Sequence, residues 1–155
     1  SATKARFTDY YLNSHNQLRS LLSAFIDSAS ALVGSFTPST LNELHSVYYA
    51  FTESVATHSY TYDTILFPCL TKRLPGVCES YCYDHYRHSD HLTRIYSSLS
   101  SVDESNAADL FLLISGFGAV MEDHVQKEDE HLLPYFLSVV SEKELAMIIQ
   151  EVSKT

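Results

Sequence analysis

The chain has 155 residues and a formal net charge of -9, from 19 acidic and 10 basic side chains. This length fits a single domain over 1–155, and the negative charge disfavours nucleic acid because it repels a phosphate backbone. The longest apolar run, residues 110–114, is too short to cross a membrane, and Cys69, Cys78 and Cys82 form no even disulfide framework, so we expect no membrane partner and a cytoplasmic or other intracellular soluble compartment.

The first half of the chain predicts two long helices. Apolar residues recur at three- and four-residue steps around His15, which predicts a first helix over about 6–33. Thr37 followed by Pro38 is a typical N-cap with proline at the first helical position, so a second helix is predicted over about 38–73. One face of this second helix carries His58 and Tyr62.

The second half predicts two more long helices and a short one. A stripe that steps by four and three residues, as in a helical bundle, predicts a third helix over about 77–100. An apolar run after the polar segment 101–106 predicts a fourth helix over about 105–139, and Ser141 and Glu144 form a capping box that begins a short helix over about 141–152. We therefore expect an all-α fold, an antiparallel up-down four-helix bundle with a short C-terminal helix. The stripe of the third helix is Tyr81, His85, His88, Leu92, Ile95 and Leu99.

An internal repeat relates the second and fourth helices. Residues 58–68 align without a gap to residues 124–134, and each segment begins with a histidine, has an oxygen donor four residues later and an acid five residues later. Four residues advance a helix by about 400°, so the histidine and the oxygen donor lie one turn apart on nearly one face and can chelate one metal. The histidine–donor pairs are His58 with Tyr62 and His124 with Glu128, and the acids are Asp63 and Asp129.

This pattern resembles the hemerythrin-like (HHE cation-binding) family, in which a histidine is followed by HxxxE with an LFP-like end, and the same order then repeats. The resemblance spans about residues 15–134. It implies a non-haem site for two iron ions, oxo- or hydroxo-bridged, with ligands from all four helices. Carried over to this sequence, it implies His15 and His58 on one iron, His85 and His124 on the other, and Glu128 as a bridging carboxylate.

Tyr62 is the departure from that pattern, because it stands where the family has its second bridging glutamate. Two alternatives are open. Tyr62 is the preferred ligand, since it shares a face with His58 and a ferric ion favours the phenolate strongly enough to overcome a pKa of about 10. Asp63 is the other, although it is rotated by about 140° from His58. Asp129, the acid at the matching offset of the fourth helix, is a further candidate as a ligand or as a group that contacts one.

On the third helix, His85 is the preferred ligand because the pair Asp84-His85 resembles the acid–histidine pair of the family. His88, one turn away on the same face, is expected to be an additional ligand or a relay that accepts a proton from bound peroxide. Burying this many imidazoles without a shared partner would cost about 1 to 3 kcal/mol each, which favours a metal. Mixed imidazole, carboxylate and phenolate donors suit iron better than zinc.

The function implied by the resemblance is reaction with dioxygen or hydrogen peroxide. We prefer redox chemistry, with the protein acting as a catalase-like or peroxidase-like oxidoreductase. A phenolate ligand would stabilise ferric iron and so disfavour a reversible ferrous dioxygen carrier. The alternative is an iron- or oxygen-sensing module, or a reversible dioxygen-binding and iron-storage module, without turnover. A helical interaction domain without metal is a third hypothesis.

Overall fold

The computed structural model of the chain describes residues 1–154, which form helices joined by short connections, with no strand among them. The all-helical prediction is therefore confirmed. Of the four long helices that the sequence predicts, the first and third are undivided. The second and the fourth are each divided in two by one wider turn, so six α-helices correspond to the four. The helices are α1 (Ala2–Gly34), α2 (Pro38–Thr61), α3 (Phe67–Thr71), α4 (Glu79–Ser100), α5 (Ala107–Lys127), α6 (Leu133–Val139) and, at the C-terminal end, α7 (Glu142–Val152).

Side-chain caps fix the starts of α2 and α7, as Ser1 does for α1. The hydroxyl of Thr37 accepts a hydrogen bond from the backbone N–H of Thr40 at 3.1 Å, and the Thr40 hydroxyl accepts one from the N–H of Thr37 at 3.0 Å. Ser141 accepts from the N–H of Glu144 at 3.2 Å at the start of α7. These bonds satisfy N–H groups that have no partner inside the helix, so α2 and α7 begin where the sequence predicted.

The two wider turns, Tyr62–Leu66 and Glu128–Leu132, have π-helical geometry. The backbone N–H that follows each turn bonds to a carbonyl five residues earlier, Phe67 to Tyr62 and Leu133 to Glu128. The sequence predicted continuous helices over 38–73 and 105–139, and the structure differs by these two turns. Proline explains the turns, because Pro68 and Pro134 each lie two residues after one of them. A proline lacks an N–H and would clash with the carbonyl four residues back in a regular helix.

Buried apolar side chains form two clusters, one on each side of a layer of histidines. The first cluster, the inner cluster, includes Phe25, Phe51, Ile95 and Ile114 from α1, α2, α4 and α5. The second, the outer cluster, gathers side chains near the π-helical turns, α3, α6 and α7. Its fully buried members are Phe7, Tyr11, Tyr62, Leu66, Leu70, Phe136 and Leu145.

The histidine layer lies where the four long helices pack against one another. α1 packs against α2 and α5, and α4 packs against α5 and α2, so each long helix contacts two others. The up-down order of these helices stays a prediction. Within residues 1–154, no helix combines the length and the apolar character needed to cross a bilayer.

Candidate metal centre

Each long helix contributes a buried histidine to the layer between the two clusters. Burial of so many polar rings at one level is costly unless each ring finds a partner. The buried polar residues of the layer are His15 from α1, His58 from α2, His85 and His88 from α4, His124 from α5 and Glu128 from the second π-helical turn.

Four of these residues converge on one point. One donor atom from each of His58, His85, His124 and Glu128 lies within 4.8 Å of the other three, so a single cation could contact them all. Glu128 Oε1 is 3.1 Å from His58 Nε2 and 2.6 Å from His124 Nε2. The His124 contact is close, yet its atoms are not aligned as a hydrogen bond, and His124 Nε2 counts among the buried atoms without a bonding partner. This is the geometry of donors directed at a common cation.

Aspartates hold two of the converging rings from outside. The Nδ1 atom of His85 lies 2.9 Å from Asp63 Oδ1, and that of His124 lies 3.0 Å from Asp84 Oδ2. An ionised carboxylate only accepts, so in each pair Nδ1 carries the proton and donates it. The Nε2 atom of each ring is then directed into the layer with its lone pair available, as metal-binding histidines require.

His15 stands beside the four-donor group with both ring nitrogens occupied. Its Nδ1 donates to Asp129 Oδ1 at 2.5 Å, and the hydroxyl of Tyr62 donates to its Nε2 at 3.0 Å. Asp129 in turn accepts from Arg19 at 3.1 Å, and Arg19 also pairs with Glu122 at 2.9 Å. A continuous chain of polar groups therefore runs from the layer to the surface.

Tyr62 is fully buried, and its ring stacks on that of His58 with a centroid distance of 4.2 Å. Burial, with the nearby Tyr11 and Glu128, raises the pKa of Tyr62 well above its usual value, so the phenol is neutral without a metal. Tyr62 thus contacts His15 and His58, whereas Asp63 contacts His85. The two candidates that the sequence left open lie in different parts of the layer.

Glu128 is the electrostatic centre of the layer. Burial alone would raise its pKa, but the nearby rings of His58 and His124 outweigh burial and hold the pKa of Glu128 well below its usual range. Its backbone carbonyl accepts from Tyr11 at 2.8 Å, while its Oε2 atom has no partner. A buried carboxylate anion with an unsatisfied oxygen needs a compensating cation.

The histidines around Glu128 respond to it differently. Burial lowers the pKa of His58, against the attraction of Glu128, and its Nδ1 atom has no bonding partner. Burial also opposes a charge on His124, but Glu128 and Asp84 outweigh burial and raise its pKa. One ring nitrogen of His58 therefore has no hydrogen-bond partner, and the two carboxylates make a proton on His124 easier to hold than on a free imidazole.

His88 lies next to the four-donor group but outside it. Its ring centroid is 4.7 Å from that of His124 and 6.3 Å from that of His85. Burial, assisted by repulsion from those two rings, lowers the pKa of His88 to about 3, so it is a neutral base under ordinary conditions. Its role as a proton relay stays a prediction.

Sequence reasoning did not find three residues that support the layer, Tyr11, Arg19 and Asp84. Asp84 was noted as the neighbour of His85, yet its hydrogen bond goes to His124 on another helix. Helical periodicity cannot reveal such a contact, because it depends on how two helices pack. Tyr11 lies on the buried stripe of α1, and only the fold brings its hydroxyl to the Glu128 carbonyl.

Comparison with protein families matches residues 6–136 to the model described as the hemerythrin HHE cation binding domain. The chain belongs to this family. The matched range covers every residue that the sequence proposed for the site, and the family predicted from the sequence is confirmed. No curated protein and no solved structure matches the chain. The protein is therefore a hemerythrin-like domain with a histidine–glutamate cluster that could bind a metal cation.

Proposed function

We propose that this hemerythrin-like domain, an antiparallel up-down bundle of four long helices, holds two iron ions and uses them to react with dioxygen or peroxide. The observation that carries the proposal is Glu128, whose buried carboxylate has two imidazole nitrogens near one oxygen and no partner on the other. A set of donors that combines imidazole nitrogens with a carboxylate suits iron.

The ligands divide into two sets that share Glu128. His85 and His124 would hold one iron, and His15, His58 and Tyr62 the other. His58, whose ring nitrogen also lies within reach of a cation held by His85 and His124, would stand between the two sets. The proximity of Tyr62 to His15, 3.0 Å between hydroxyl and ring nitrogen, supports the second set, because these two donors share one proton that a cation would displace. Glu128, with an oxo or hydroxo group, would bridge the two ions.

When bound, iron supplies the change of oxidation state that reactions with dioxygen or peroxide require. The residues of the chain supply the rest. Three aspartates fix the tautomers of three histidines, so that the Nε2 atoms of the histidines are directed inward. The pairs are Asp63 with His85, Asp84 with His124 and Asp129 with His15. The two apolar clusters exclude bulk water above and below the layer, and the neutral ring of His88 lies beside His124 as a base for a proton released from peroxide.

Metal analysis and oxygen evolution test the proposal together. Protein expressed with iron should contain about two irons per chain, since the donors form two sets. Addition of hydrogen peroxide should release dioxygen faster than the same concentration of free iron does. Zinc alone, or one iron at saturation, would contradict the two-iron site, and oxygen release equal to that of free iron would remove the enzyme function.

The buried polar atoms without hydrogen-bond partners favour one alternative, an iron-sensing or oxygen-sensing module without turnover. Binding of iron would satisfy Glu128 Oε2 and the free ring nitrogens, and the conformation of the layer would then report iron. Two irons per chain without oxygen release, combined with a marked change in proteolysis on loading, would support this alternative.

A further inference from the structure

An open pocket of about 390 Å³ lies between α1 and α2 and reaches the metal layer. Its lining includes His58 and Tyr62, which are both buried and both assigned above to the same iron. Glu53 is the one charged side chain of its lining within residues 1–154. The neutral polar residues of the lining, which could donate to or accept from a small polar molecule, are Tyr10, Ser14, Gln17, Ser54, Thr57 and Thr61.

We propose that this α1–α2 pocket is the entry and binding site for a small uncharged oxidant, of the size and polarity of hydrogen peroxide, on its way to the metal layer. The inference rests on the proposed function and specifies the route that it requires. Hydroxyl and amide groups on both walls provide hydrogen bonds for such a molecule. The carboxylate of Glu53 and the negative charge of the whole chain disfavour anions.

A second pocket supplies the alternative route. It has a volume of about 220 Å³, lies between α2 and α4, and reaches His85. This α2–α4 pocket is smaller and touches one proposed iron ligand, His85, instead of two. Both linings include apolar side chains, Val55 and Leu92 here and Leu18 and Ala50 in the α1–α2 pocket, so the larger size and the contact with two proposed ligands favour the α1–α2 pocket.

A pair of serines on α2 tests the choice between the pockets. Ser54 lines the α1–α2 pocket, Ser59 lines the α2–α4 pocket, and both are half-buried. Ser54→Phe should slow the binding of nitric oxide to the ferrous protein, followed by stopped-flow absorption, by about tenfold or more, because the ring narrows the route. Ser59→Phe should leave this rate within about twofold of the wild type. The opposite order would overturn the proposal.

Charge selection provides a second test. Replacement of Glu53 by glutamine should speed the binding of azide, an anion, to the ferric protein and leave the binding of nitric oxide unchanged. Glu43→Gln, an exposed glutamate of α2 outside the pocket, is the matched control and should change neither rate. Equal effects of the two substitutions would mean that Glu53 acts only through net charge and would contradict the assigned route.

The metal-free protein separates failure of the route from failure of the iron site. Thr61 and Val55 are both 4% exposed, and they line the α1–α2 and α2–α4 pockets respectively. Hydrogen peroxide added to the metal-free protein should shift the NMR signal of the Thr61 methyl more than those of the Val55 methyls, and Ser54→Phe should remove the difference. A stronger effect at Val55 would overturn the proposal whether or not the chain binds iron, and metal analysis reports on iron independently.

Discussion

The hydroxyl of Tyr62 lies 3.0 Å from Nε2 of His15, so two groups proposed as iron ligands bond to each other in the absence of a metal. Because Nδ1 of His15 donates its proton to Asp129, Nε2 has a single lone pair, which can accept one hydrogen bond or bind one metal ion. Iron binding by His15 must therefore break the hydrogen bond to Tyr62. The phenol then either loses its proton to become a ligand or remains without this partner.

Substitution of Tyr62 by phenylalanine distinguishes these outcomes while keeping the ring that stacks on His58. If the phenolate binds ferric iron, the wild-type protein should have a broad visible charge-transfer band, and the variant should lose it and have a higher reduction potential. Tyr11→Phe is the matched control, since the hydroxyl of this buried tyrosine bonds to a backbone carbonyl, and it should keep the band. If Tyr62→Phe keeps the band and Asp63→Ala loses iron, then Asp63, and not Tyr62, is the iron ligand.

Replacement of Glu128 by glutamine should abolish the stabilisation that iron confers. The amide keeps the shape of the side chain but removes the anion on which His58 and His124 converge. Iron should raise the Tm of the wild type and leave that of the variant nearly unchanged, as measured by calorimetry with and without metal. Glu130→Gln, in the same π-helical turn but exposed, should behave like the wild type. An iron-dependent Tm in Glu128→Gln would disprove the bridging role.

Asp84 should tune the metal affinity without touching the metal. Its carboxylate accepts the Nδ1 proton of His124, and loss of such a partner typically weakens metal binding by about 10- to 100-fold. Competition with a chelator measures the affinity of Asp84→Asn. Asp90→Asn on the same helix is the control, because Asp90 pairs only with the exposed Arg94 in the contacts seen, and it should not change the affinity. Identical affinities for both variants would leave Asp84 with a packing role alone.

His88 should make the metal-free protein sensitive to acid. Its pKa is about 3 in the folded state against 6.5 ordinarily. Above pH 6.5 the ring is neutral in both states and contributes nothing, but between pH 6.5 and 3 only the unfolded chain binds the proton. Stability should therefore fall as the pH is lowered through this window, by at most about 1.4 kcal/mol per pH unit from this residue. Urea unfolding of His88→Leu should show a shallower decline, and an unchanged slope would contradict the prediction.

The sequence predicted the all-helical fold and the caps of α2 and α7 because these depend on local spacing. Spacing also placed His15, His58, His85 and His124 on buried stripes, whereas their role as ligands, with that of Glu128, came from the family resemblance and stays a prediction. Partners across helices could not be assigned in this way. The spacing of Asp63 from His58 offered it as a ligand of the same metal, but the packing of α2 against α4 brings its carboxylate to His85.

The π-helical turns could have been anticipated in part. Pro68 and Pro134 occupy matching positions of the repeat, and a proline inside a helix disturbs the turn that precedes it. Periodicity alone could not show that the chain widens the helix here instead of ending or bending it. The choice depends on the neighbouring packing, which keeps Tyr62 and Leu66, and likewise Glu128 and Leu132, buried at the two turns.

The division of the apolar interior into two clusters has a consequence for the metal-free chain. The inner cluster joins α1, α2, α4 and α5 on one side of the histidine layer, and the outer cluster ties their other ends to α7. Neither cluster includes the histidines or Glu128, so loss of a bound cation would affect polar groups confined between two packed regions. The metal-free chain should therefore undergo local opening, with amide hydrogen exchange accelerated in the middle turns of the helices while both flanking regions remain protected.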